Sequence, residues 1–189
     1  MDGTPLGSGP PGDGSQFTAA LSLRRGWVDL LLTQGTSRCL ISATTIGMGD
    51  AVKELAASLV AIATERIDAC CAWPGEPHGA YIDLARRPKD LVAVAVQETV
   101  ELGAPTLNEN VAEWLRGRTS EERRAAHESS WLPLRGTLLF GARLPTKVLL
   151  TAFWSGLVLS RSALTQGTYE SLWGHPFPEA LVEQLADLL

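Results

Sequence analysis

Apolar residues alternate with polar or small ones early in the chain. Phe17, Ala19, Leu21 and Leu23 fall two apart, then Val28, Leu30 and Leu32, then Cys39, Ile41 and Ala43. A period of two marks a half-buried strand, because successive side chains of an extended backbone point to opposite faces. Arg24-Arg25-Gly26 and Gln34-Gly35-Thr36-Ser37 break the alternation with turn residues. The pattern predicts a three-stranded antiparallel meander.

The period changes after Gly47-Met48-Gly49. Val52, Leu55, Leu59 and Ile62 recur three or four apart and make the apolar stripe of a helix over 50–66. Asp50 stands at its start, where a carboxylate accepts bonds from free backbone N–H groups. Strand signals return at 67–73, around 81–85 and at 91–100. The turns between them are Pro74-Gly75-Glu76-Pro77-His78-Gly79 and Arg86-Arg87-Pro88-Lys89-Asp90, so a second meander is expected. Residues 103–135 predict a short helix with Val111, Trp114 and Leu115, then a helix over 120–129 behind a capping box at Thr119-Ser120-Glu121-Glu122. Leu138 to Phe140 predicts a last strand. Pro145 opens an apolar helix with Leu149, Phe153, Leu157 and Leu164 on one side, and Gly167 is expected to end it. Pro178 suits the first turn of a final amphipathic helix, where it has no N–H to lose.

Strands and helices come in blocks rather than in alternation. The expected class is therefore α+β: an antiparallel sheet built from two meanders, with helices packed on one face. Residues 1–16 are rich in Gly, Pro, Ser and Asp and are expected to be a disordered tail before a single domain over 17–189.

Composition narrows the function classes. Sixteen Lys and Arg are offset by 21 Asp and Glu, for a formal charge of −5. The densest basic knot, Glu121-Glu122-Arg123-Arg124, pairs acids with bases and reads as a solvated helix face, so no nucleic-acid partner is expected. Met1 to Gln16 has no basic start followed by an apolar run, and Val148 to Leu164 is too short and too polar to span a bilayer. A soluble cytoplasmic protein without membrane partners is the expectation. Cys39, Cys70 and Cys71 form no Cys-x-x-Cys pair and are expected to be reduced and buried. Adjacent Cys70 and Cys71 would point to opposite faces of their strand.

Reactive constellations are sparse. Gly47-x-Gly49 lacks the further glycine or Gly-Lys-Ser/Thr of a phosphate loop, and Asp50 would repel an anion there. His78, His127 and His175 are far apart and form no metal-binding pair, so neither a metal nor a cofactor is expected. No Gly-x-Ser-x-Gly elbow occurs. What remains are Glu76 and His78 in one proline-stiffened loop and His175 in another, where a carboxylate could orient an imidazole. Trp73, Trp154 and Trp173 could line an apolar pocket beside them, although large aromatics fill ordinary cores more often. These six residues are the candidate ligand site; no catalytic residue is assigned.

The ending is dense in rigid residues. Tyr169, Trp173, His175, Pro176, Phe177 and Pro178 directly precede the final helix, a pattern suited to clamping that helix onto a core. With Trp73-x-x-Glu76-Pro77-His78-Gly79-x-Tyr81, this ending resembles a group of uncharacterised actinobacterial proteins. They share a Trp…Glu-Pro-Gly hairpin turn in mid-chain and a Tyr…Trp…Pro-Phe-Pro terminus. The resemblance implies an α+β domain with no assigned reaction, and it brings no catalytic residues. This chain departs from the pattern by inserting His78 and by placing Pro74 at an acidic position. Two functions then compete. One is a non-enzymatic binding or regulatory module acting through protein contacts, of the immunity or accessory kind. The other is a small-molecule carrier or modest acid–base enzyme with a hydrophobic ligand between sheet and helix. Self-association through an unpaired edge strand fits either.

Overall fold

A computed structural model of the chain describes residues 16–45, 50–75, 79–100 and 134–189. The expected tail over 1–15, the Gly47–Gly49 break, Glu76, His78 and the helices expected within 103–133 lie outside the described residues.

The first meander forms as β1 (Thr18–Arg24), β2 (Trp27–Gln34) and β3 (Ser37–Thr44), a three-stranded antiparallel sheet in the order β1-β2-β3. Its alternation is realised: Val28, Leu30 and Leu32 are fully buried, while Thr18, Ala20 and Ser22 are exposed. Helix α1 (Ala51–Thr64) follows, with Val52, Leu55, Leu59 and Ile62 all at 0% exposure. Asp50 caps it, its carboxylate accepting from the Val52 and Lys53 backbone N–H groups at 3.1 Å each.

The second meander is a separate four-stranded antiparallel sheet, β4 (Ala69–Trp73), β5 (Ala80–Arg87), β6 (Leu91–Val100) and β7 (Leu134–Pro145), in chain order. The last strand is far longer than the Leu138–Phe140 signal. Register shifts beside Gln97 disturb its pairing with β6, and Leu138 and Leu139 are both exposed there. Such bulges break the period that sequence reading relies on. α1 packs on β4, and Cys71, Trp73, Ile82, Leu84, Val92, Val94 and Val96 join its apolar stripe in one core. Cys70 points the other way, outside that cluster, yet is equally buried.

Helix α2 (Thr146–Ser162) starts against the β5–β6 hairpin. No side chain caps it; instead the Asp90 carbonyl accepts the Thr146 N–H at 2.9 Å, and the Asp90 carboxylate accepts the Thr146 hydroxyl at 2.9 Å. Phe153 of α2 meets Phe17 at 5.9 Å between ring centroids, and Phe17 meets Phe140 of β7 at 6.3 Å. This aromatic chain joins both sheets and α2 in one core.

The end of α2 corrects the sequence reading. The helix stops at Ser162, and Gly167 lies in the first turn of a new helix, α3 (Gln166–Trp173), set at 107° to α2. Thr165 supplies the reason: its hydroxyl accepts the Thr168 N–H at 3.2 Å and caps α3. Leu164 therefore sits in the bend rather than on the buried stripe. Helix α4 (Glu179–Asp187) closes the chain, with Pro178 one residue before its start.

Candidate functional site

The four described residues of the sequence-selected set differ in burial. Trp73 and Trp173 are fully buried, Trp154 and His175 are half-buried, and Glu76 and His78 lie outside the described residues. Trp73 belongs to the core face of β4, and its indole N–H has no partner among the described residues. Trp154 packs against the core from α2. His175 stands beside Trp173, with 6.0 Å between ring centroids.

Trp173 belongs to a tightly bonded C-terminal unit. Its indole N–H donates to the Asp50 carboxylate at 2.8 Å, so one carboxylate both caps α1 and holds α3. The preceding carbonyl, of Leu172, accepts the Gly26 N–H at 2.6 Å and ties α3 to the β1–β2 hairpin. Gly174 then takes φ +85°, a left-handed conformation that closes helices and favours glycine. Past it, Phe177 meets Tyr169 edge-on at 5.1 Å, and Arg161 of α2 reaches both the Phe177 ring and the Glu179 carboxylate, the latter at 2.8 Å. Burial, then the nearby Asp50 charge, pushes the Tyr169 phenol well above its ordinary range.

Cys39, Cys70 and Cys71 are buried and unbridged, and burial raises Cys39 and Cys71 above the ordinary thiol value, so neither supplies thiolate at neutral pH. Among the described residues no group of three His, Cys, Asp or Glu side chains is placed to hold a metal.

Sequence reasoning missed a groove between β1 and the second half of α2. It measures about 320 Å³ and is walled by Ala19–Leu23 on the strand and by Gly156, Leu159, Ser160, Ala163 and Leu164 on the helical side. None of these residues is ionisable, and Leu159 is 68% exposed. A smaller depression of about 160 Å³ lies at the start of α2 and includes Arg66, Arg86 and Lys147. Neither hollow is lined by a tryptophan or a histidine.

The β1–β2 hairpin fixes which backbone groups of β1 face the groove. Arg24 pairs with Trp27 across a two-residue turn, so those two exchange both ladder bonds. Bonded pairs alternate along an antiparallel ladder, so Ser22, Ala20 and Thr18 also turn their N–H and C=O toward β2. Leu23, Leu21 and Ala19 turn theirs away. The Ala19 carbonyl agrees with this phase: it faces Gly156 so closely that a Cβ on Gly156 would overlap its oxygen and stand 3.1 Å from its carbon. Past that contact, no backbone bond of the described residues outside the sheet reaches Leu21 or Leu23. A sequence signal existed in Gly156, a glycine inside an apolar helix, where close backbone approach is a standing explanation.

No single helix among the described residues is long and apolar enough to cross a membrane. No protein-family model, curated protein or solved structure matches the chain.

Proposed function

We propose that the chain is a non-enzymatic binding module that acts through protein contacts, with the β1–α2 groove as its contact surface. One observation carries this reading: the larger hollow is apolar, open and free of ionisable side chains, with Leu159 exposed at its rim. Such a lining has no ionisable acid or base to activate its two serine hydroxyls, whereas apolar surface removed from water on contact stabilises a complex. Three buried, unbridged cysteines suit a reducing compartment, and the reading places the module in the cytoplasm. The volume would also admit a small apolar ligand, the competing reading.

Panning a displayed peptide library on the full chain tests the proposal. Peptide pools are expected to bind the wild type and to lose about tenfold or more on Leu159→Glu, which places a charge in an apolar contact. Leu159 is exposed, so the variant's stability should stay within about 0.5 kcal/mol of wild type. Pools that bind both proteins alike would remove the groove as the functional surface. Thermal stabilisation by small apolar molecules alone, with no peptide selected, would favour the ligand carrier.

A further inference from the structure

We infer that the groove takes a strand: an extended, uncharged segment of a partner protein adds to the edge of β1 that the described residues leave open at Leu21 and Leu23. This deepens the reading above and rests on it.

Hydrogen-bond complementarity gives the first argument. Leu21 and Leu23 turn their N–H and C=O groups away from β2, by the same phase that aims the Ala19 carbonyl at Gly156. An extended backbone is the partner that matches a row of alternating donors and acceptors. Charge gives the second. The chain carries a net −5, yet no lining residue of this groove is ionisable. A charged side chain entering it would lose water and meet no counter-charge. The occupant's inward side chains are therefore apolar, set against Leu159 and Leu164.

The edges of the two sheets give the third argument. Proteins blunt exposed edges with charges, prolines, bulges or covering elements. β7 carries Arg143 and register shifts, and the Thr44 N–H at the end of β3 is bonded to the Pro74 carbonyl at 2.7 Å. β1 has no charged residue or proline from Thr18 to Leu23. It is covered at one end by Gly156 and held at the other by Leu172, leaving a short window between. A second copy would bring its own α2 beside its own β1, and two helices would have to share that window. A free peptide segment brings no such flank.

The test uses the full chain, isotope-labelled, with a blocked heptapeptide of alternating Val and Thr as probe. Amide exchange at Leu21 and Leu23 is expected to slow by about tenfold or more, while that of Ser22, already in the ladder, stays unchanged. The same peptide N-methylated at alternate residues should lose the effect. Leu23→Pro, which removes an outward N–H and leaves the ladder bonds in place, should weaken binding by about tenfold. Binding that vanishes on Leu159→Glu but protects neither amide would overturn the strand and leave the binding module standing. If neither the heptapeptide nor any library peptide binds the wild type, both fall. Protection that grows with protein concentration and without peptide would make the occupant a second copy, and the inference would be wrong.

Discussion

The C-terminal helices meet the first sheet in two ways. At Trp173 the contact is closed: the ring is fully buried, its N–H is bonded to Asp50, and the Leu172 carbonyl is bonded to Gly26. At Leu159 and Leu164 the contact is open, with apolar side chains and strand-edge backbone facing a groove. α3 builds the first, and α2 with the bend after it builds the second. The difference lies in what the sheet presents. The hairpin end offers polar groups that α3 satisfies. The middle of β1 offers a second row of backbone groups, which α2 approaches closely at Ala19. One contact is closed completely and its neighbour is left open.

The largest test of the closed contact is Trp173→Ala. It removes a fully buried indole and the bond to Asp50, and should destabilise the fold by about 3–5 kcal/mol in chemical denaturation. A loss below about 1 kcal/mol would mean that the ring reaches solvent and the closed contact is not closed. The groove is expected to lose its shape only in so far as the fold does, so binding measured well below the denaturation midpoint should survive a milder change at the same site.

The boundary between the contacts is Gly156. A Cβ there would overlap the Ala19 carbonyl oxygen, and neither backbone can swing aside as a flexible side chain would. Gly156→Ala should therefore cost about 1–3 kcal/mol, although alanine is the better helix former by about 1 kcal/mol. A stabilised variant would show that α2 does not lie against the β1 edge. The groove would then lose its helical wall, and the strand-addition geometry with it.

Sequence reading reached the parts of this fold that are local. The two meanders, the α1 stripe and the Asp50 cap all rest on residues a few positions apart. It also found the terminal clamp by composition, since Tyr169, Trp173 and Phe177 are all buried. It could not find the partner of Trp173, because Asp50 lies 123 positions away. The bend at Thr165 hid behind Leu164, which continues the apolar spacing of α2 across a helix break. The groove was illegible for a related reason. Ala19 and Leu21 read as ordinary residues of a half-buried strand, Leu159 and Ala163 carry no signal of their own, and only the approach of Gly156 to a distant strand makes a hollow of them.

The smallest effect concerns pH, and it probes the closed contact from inside. Burial, then the Asp50 charge, holds the Tyr169 phenol protonated well above the ordinary tyrosine value of 10.0. The unfolded chain releases that proton at the ordinary value. Above pH 10 the unfolded state therefore binds fewer protons than the folded one, and stability falls as pH rises, by at most about 1.4 kcal/mol per pH unit for one group. Well below pH 10 the phenol adds no slope. The buried Cys71 thiol acts with the same sign from its lower ordinary value of 9.0, so wild type and Tyr169→Phe should decline together between those two values. Above the second they should diverge, with wild type the steeper, reaching a difference near 1.4 kcal/mol by about pH 11. At neutral pH the substitution should be nearly silent, because the Tyr169 hydroxyl has no hydrogen-bond partner among the described residues to lose. Urea denaturation of both proteins across that range reads the difference directly. Curves that stay parallel to pH 11 would mean the phenol ionises in the folded state, which a fully buried ring packed edge-on against Phe177 does not permit.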